Sequence, residues 1–204
     1  MALSVKQKAK IAAWAVVSTA VITSPITVSA VADTKSTTIN ATVAPVISMT
    51  TNATVAIAIL PTGVGAASSA SDTVTVDSNN STGYNLTLSN NDTTLDLDGP
   101  GSAIIAAHAG TFGTPSTLGN NSWGYRVDNS GTFGAGPSAA QTNQANLTGT
   151  WAGVPSSAAA QQIKSTGTTA VADVTTFWYG VKSDTSKASG AYTDSVTYTA
   201  TTNP

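Results

Sequence analysis

Cysteine and glutamate are absent from this chain of 204 residues, histidine and arginine each occur once, and charge is sparse, with 8 basic and 10 acidic residues. Without cysteine there can be no disulfide, no thiol nucleophile and no thiolate metal site. At 9% charged residues, against roughly 25% in ordinary globular proteins, long charged helices and coiled coils are excluded. The shortage of Lys and Arg equally excludes the basic patches that capture nucleic acid. The single histidine, His108 in AAHAGTF, would have to serve any serine triad, yet neither a G-x-S-x-G elbow nor an S-x-x-K pair occurs. It reads as a hydrogen-bonded loop histidine. GxGxxG and P-loop patterns are missing as well, and no pair of aspartates is singled out for glycosidase chemistry. The chain is therefore expected not to be an enzyme.

What is present is small and hydroxylated: 35 Thr, 33 Ala, 24 Ser and 13 Asn. The N-terminus carries Lys6, Lys8 and Lys10, and the uncharged stretch Ile11 to Ala32 follows. A basic start, an apolar run, Pro25 and the small residues of Ala30-Val31-Ala32 predict a secretory signal peptide over 1–32, cleaved before Asp33. The alternative is a retained anchor, since 22 uncharged residues suffice to span a bilayer. Cleavage leaves a single domain, 33–204, with five basic residues against ten acidic ones. A body of that sign repels nucleic acid and anionic lipid, so neither nucleic acid nor membrane is expected as a partner of the mature protein.

Apolar and polar residues alternate with a period of two along most of the mature chain, the pattern of half-buried strands. Ser36 to Val46 places Ile39, Ala41 and Val43 on one face, and Ala53 to Leu60 does so with Val55, Ile57 and Ile59. Ser71 to Asn90 reads as a hairpin, with Val74 and Val76 inward, an Asn/Ser turn closing on Gly83, and Tyr84, Leu86 and Leu88 inward. Thr93 to Asp98 reads as a further strand. Between Gly99 and Gly153 lie 11 of the 17 glycines, so this middle region reads as mostly loop around one short strand, Ser122 to Asp128. Pro155 to Gly167 has an N-cap serine, an alanine-rich interior and a glycine stop, which predicts one short helix. Thr175 to Lys182 and Gly190 to Thr201 return to strands. The sum is an all-β chain: an antiparallel Ig-like β-sandwich of about seven to nine strands with one short helix.

The segments STGYNLTLS, WGYRVD, FWYGVK and GAYTDSVTYTAT resemble the exported β-sandwich modules of bacterial cell surfaces: pilin-like and adhesin-like domains, WxL-type wall proteins and spore-coat-U-like domains. The resemblance implies an envelope location and a structural or binding role. The chain is accordingly expected to be a structural or adhesive component of the bacterial envelope, with a filament subunit whose first strand, Ser36 to Val46, pairs with a neighbour's edge as the main variant. Cell-wall or host-surface glycans or proteins, or further copies of the chain, are the expected partners. The W-x-L motif itself is lacking, because the corresponding tripeptides are Trp123-Gly-Tyr and Trp151-Ala-Gly.

Two candidate binding sites remain. Exposed Trp faces stack on sugar rings; Trp123 and Tyr125 share a face with Val127 and read as core, whereas Trp151, in loop sequence, and Trp178, opposite Phe177 and Tyr179, are expected at the surface. They make a carbohydrate-binding module the alternative function. In NDTTLDLDGPG, Asp92, Asp96 and Asp98 offer hard oxygen ligands for Ca²⁺, although the EF-hand spacing fails and alternation with Leu95 and Leu97 also explains Asp96 and Asp98 as a solvated face.

Overall fold

The computed structural model describes residues 31–204, so the predicted signal peptide lies outside the described residues except for its last two positions. The chain divides into two units, Met1–Thr42 and Val43–Pro204. In the first, residues 31–42 carry no helix or strand. The second contains β1 (Ile47–Thr50), β2 (Ala66–Ser78), β3 (Tyr84–Asn90), β4 (Leu97–Asp98), β5 (Ile104–Ala107), β6 (Ser122–Val127), β7 (Gln161–Ser165), β8 (Ala170–Ser183) and β9 (Val196–Thr202). Helical structure among the described residues amounts to two three-residue 3₁₀ turns, Pro100–Ser102 and Ser157–Ala159. None is long or apolar enough to cross a membrane.

Six strands form one sheet in the order β1-β2-β8-β6-β5-β4, and three form another in the order β7-β3-β9. Every pairing between these strands is antiparallel except β5 with β6. Alternation decides which side chains are buried. Val74 and Val76 of β2, Trp123, Tyr125 and Val127 of β6, and Phe177, Tyr179 and Val181 of β8 join Tyr84, Leu86 and Leu88 of β3 in one buried cluster. Both sheets thus contribute to a single core, and Trp123 and Tyr125 lie within it, as their shared face with Val127 predicts.

The predicted hairpin over Ser71–Asn90 is corrected. Its two strands, β2 and β3, belong to different sheets, and the Asn/Ser turn carries the chain across the core instead of folding β3 back onto β2. Period-two alternation specifies which face of a strand is buried but not which strand it pairs with. The turn is stapled by Asn80, whose Nδ2 donates to Thr82 Oγ1 at 2.9 Å, Gly83 O at 2.8 Å and Asn203 O at 2.8 Å.

The predicted helix over Pro155–Gly167 is also corrected. Only Ser157–Ala159 turns, Ser156 makes no side-chain cap, and Gln161–Ser165 pairs with β3 as β7, with Ile163 buried. Three alanines are too few to offset the costly helix nucleus, while the adjacent β3 edge supplies a ladder at once. Ser36–Val46 forms no strand and is exposed throughout, Ala53–Leu60 keeps its alternation of half-buried and exposed residues but forms no strand, and of Thr93–Asp98 only the last two residues do.

The glycine-rich middle covers the outer face of the six-stranded sheet. Ser69, Gly180 and Gly124 lie side by side across β2, β8 and β6 and leave a shallow floor. Trp151 and Leu147 lie on that floor with Ala67, Leu118 and Trp178, forming a second buried cluster. A side chain at Gly180 would place its Cβ 2.6 Å from Leu147 Cδ1 and 2.8 Å from Trp151 Cζ3. Burying an indole in this way stabilises by about 3 kcal/mol.

Candidate functional site

A cleft of about 320 Å³ opens beside β6, lined by His108, Phe112, Tyr125, Val154, Pro155 and Gln161 among others. His108 follows β5, and its backbone N–H donates to Trp123 O at 2.7 Å. Its Nε2 lies 3.0 Å from Ser116 Oγ, and its Nδ1 accepts from Gly119 N–H at 3.5 Å, the outer limit of a hydrogen bond. Burial lowers the imidazole pKa, with the contact to Ser116 working against it, so the ring is neutral at pH 7. When Nδ1 accepts from a backbone N–H, the ring proton belongs on Nε2, and His108 donates to Ser116. That polarity is the reverse of a nucleophile–base pair, in which Nε2 must accept the serine proton and Nδ1–H must face a carboxylate. The geometry makes His108 a clasp between two loops.

The three aspartates proposed as calcium ligands do separate work. The Asp92 carboxylate accepts Thr94 N–H at 2.9 Å and closes a local turn. Asp96 Oδ1 accepts Ala107 N–H at 2.9 Å. Asp98 is exposed and bonds Thr193 through its backbone. Among the described residues, no three His, Cys, Asp or Glu side chains are grouped to hold a metal ion. Asp92, Asp96 and Asp98 are thus not brought together as a three-carboxylate group. Sequence reading missed Asp194, which sits near Asp92 and Asp98 and accepts Asn90 Nδ2–H and Ser195 N–H, each at 2.6 Å. Burial first, then the charges of Asp92 and Asp98, outweigh those two bonds and push its carboxyl up to about 6.

The expected exposure of Trp151 and Trp178 is corrected: they are 0% and 5% exposed. Trp151 packs onto Gly180, and Trp178 Nε1–H donates to Asp128 Oδ2 at 3.1 Å. Neither offers a free ring face on which a sugar could stack. The reason is the middle loop, which folds back over β6 and β8 where the sequence reads as open coil.

Arg126 explains why it does so. The chain's single arginine is 0% exposed on the outer face of β6, and its guanidinium donates to the carbonyls of Phe133 at 2.9 Å, Ala135 at 2.7 Å, and Gly134 and Thr148 at 3.4 Å. Burial lowers its pKa while Asp128 opposes the shift, and it remains a cation. Gly149, at φ +82°, has to lack a side chain, because a Cβ there would lie 1.6 Å from Nη1. The cue in the sequence was a lone Arg inside an otherwise apolar strand beside a glycine-rich loop.

Two further polar knots tie strands together. Asp72, 3% exposed, accepts from Thr51 Oγ1 at 2.5 Å, Asn52 N at 3.1 Å, Asn52 Nδ2 at 2.9 Å and Tyr198 O–H at 3.1 Å. Tyr198 also meets Tyr179, O to O, at 2.7 Å. Elsewhere Asp173 receives Tyr84 O–H at 2.8 Å and Lys164 Nζ at 2.5 Å. Burial alone would raise the Asp173 pKa, but the bonds from Lys164 and Tyr84, together with the lysine charge, hold it below the usual carboxylate range. Comparison of the chain with protein-family models, with curated proteins and with solved structures found no match.

Proposed function

We propose that this chain is an exported, non-enzymatic, Ig-like β-sandwich that forms part of the bacterial cell surface and contributes envelope structure or adhesion. The observation that carries the reading is where the polar chemistry goes. His108, Asp72, Asp173 and Arg126, the groups best suited to catalysis or ligand capture, are each engaged in joining one strand or loop of the fold to another. Around them runs a surface of Thr and Ser with little charge, which hydrogen-bonds water at any pH and salt concentration met outside a cell. The basic, then apolar, N-terminus supplies the export signal in this reading. The Ig-like arrangement is supported by two sheets sharing one core and by the crossing from β2 to β3.

Labelling intact cells with a membrane-impermeant reagent tests the location. The expected result is labelled protein whose N-terminus is Asp33. Protein confined to the cytoplasm with residues 1–32 attached would overturn the reading.

A further inference from the structure

The free edge of β9 and the extended segment Ala53–Ile59 belong together, and what they lack is a strand. Within Ala53–Ile59 no backbone–backbone hydrogen bond forms among the described residues, although Val55, Ile57 and Ile59 pack against the main core. β9 pairs with β3 on one side and with nothing among the described residues on the other. Its inward residues, Val196, Tyr198 and Ala200, belong to the same core yet stay half-buried. The two stretches converge at Asp72, which holds Thr51 and Asn52 at the start of the segment and Tyr198 in the middle of β9. Unpaired backbone beside half-covered apolar side chains is the condition that strand addition relieves.

The chain carries a segment matched to that edge. Residues 36–43 are uncharged, exposed and without secondary structure, with Ile39 and Val43 exposed at 89% and 82%. Eight residues of strand suit the seven of β9. Neither β9 nor Ala53–Ile59 carries a charge, so neutral backbone meets neutral backbone. Asn40-Ala-Thr-Val-Ala44 also repeats Asn52-Ala-Thr-Val-Ala56 residue for residue. The upstream copy therefore holds a sequence that already lies against this core in the downstream one, with Val43 in the place of Val55.

We infer that Ser36–Val43 of one copy adds as a strand to the free edge of β9 in a second copy, beside Ala53–Ile59, with Ile39, Ala41 and Val43 facing the core. Repeated head to tail, this contact builds a filament. The inference deepens the proposed surface role by naming the partner as another copy of the chain.

The absence of cysteine makes the test direct. Two forms of the full chain, T42C and T199C, both substituted at exposed positions and differing in size through a tag on one, are purified from exporting cells, mixed and treated with a bismaleimide. The expected product is a crosslinked heterodimer. Its yield should fall at least about tenfold when I39D and V43D are added to the T42C form, because two carboxylates cannot enter an apolar strip. These exposed substitutions leave the core untouched, so the variant should unfold at the parent's urea midpoint. A heterodimer that is absent, or insensitive to I39D and V43D, overturns the inference. So does a T42C/T199C double variant that crosslinks only within itself at monomer size, since the segment then folds back on its own chain. Surface labelling of the same strains reads location separately: label without crosslink removes the docking and leaves the surface role standing.

Discussion

Arg126 is the residue on which the covering loop depends, because one guanidinium satisfies four carbonyls of that loop. Bonds from a charged donor are worth about 1.5–3 kcal/mol each, and carbonyls left buried without partners lose more. R126M, which keeps the stem and removes the donors, should lower stability by about 3 kcal/mol, read as a drop in the urea midpoint. Emission from Trp178 and Trp151 should shift red as the loop lifts. Asp194 makes a prediction with a definite sign. Its folded pKa of about 6 stands above the ordinary value of 3.8, so the folded state holds this proton more tightly than the unfolded one. The resulting stability is fully present below pH 4, declines as pH rises, and is lost above pH 6, by an amount on the order of 1 kcal/mol. D194N removes the titration. The difference in urea midpoint between D194N and the parent should therefore grow in favour of D194N from pH 4.5 to pH 7; an unchanged difference would show that Asp194 does not titrate there.

At the scale of elements, the crossing from β2 to β3 rests on Gly83, whose φ of +83° suits glycine and whose absent Cβ leaves room for Thr166 O, 2.2 Å from where that atom would sit. G83A should cost more than about 1 kcal/mol, because the unfolded-chain benefit of alanine cannot offset a strained φ and a clash with backbone. N80A, which removes a staple without strain, should cost about 1 kcal/mol. Denaturation of the two variants side by side separates the contributions. This crossing also shows how far elements are legible in a sequence. Alternation at Val74, Val76, Tyr84, Leu86 and Leu88 reports burial, and all five are buried; it is silent on pairing, so the same residues fit a hairpin and a crossing between sheets equally well. Ser156 and its alanines match a helix start, but the competition was decided by the β3 edge, a partner distant in sequence. Trp151 and Trp178 depart from the sequence reading for a related reason: Trp151 packs onto Gly180, a glycine distant in sequence, and Trp178 is buried in the same cluster with Leu118 and Leu147 of the covering loop, contacts that no local window can reveal.

For the whole molecule, the scarcity of charge becomes a statement about what stability depends on. Two ion pairs occur among the described residues: Lys35 with Asp33, both largely exposed, and Lys164 with Asp173, both partly exposed. Exposed pairs contribute about 0–1 kcal/mol and are screened within about 10 Å at 0.1 M salt. Against them stand two buried clusters and the neutral hydrogen bonds at Asn80, Ser116 and the strand ladders, none of which salt screens. The net charge after residue 32 is also small, so self-repulsion gives salt little to relieve. Raising NaCl from about 0.02 M to 0.5 M should then move the free energy of unfolding by less than about 1 kcal/mol, the ceiling set by a partly exposed pair. K164M should remove most of whatever dependence is seen, because Lys164 is the pair's only cation and its loss leaves Asp173 with Tyr84 alone. Equilibrium urea denaturation of the parent and K164M at the two salt concentrations measures both effects. A strong salt dependence that persists in K164M would mean that the sparse charges act collectively, and the reading of this surface as electrically quiet would fail.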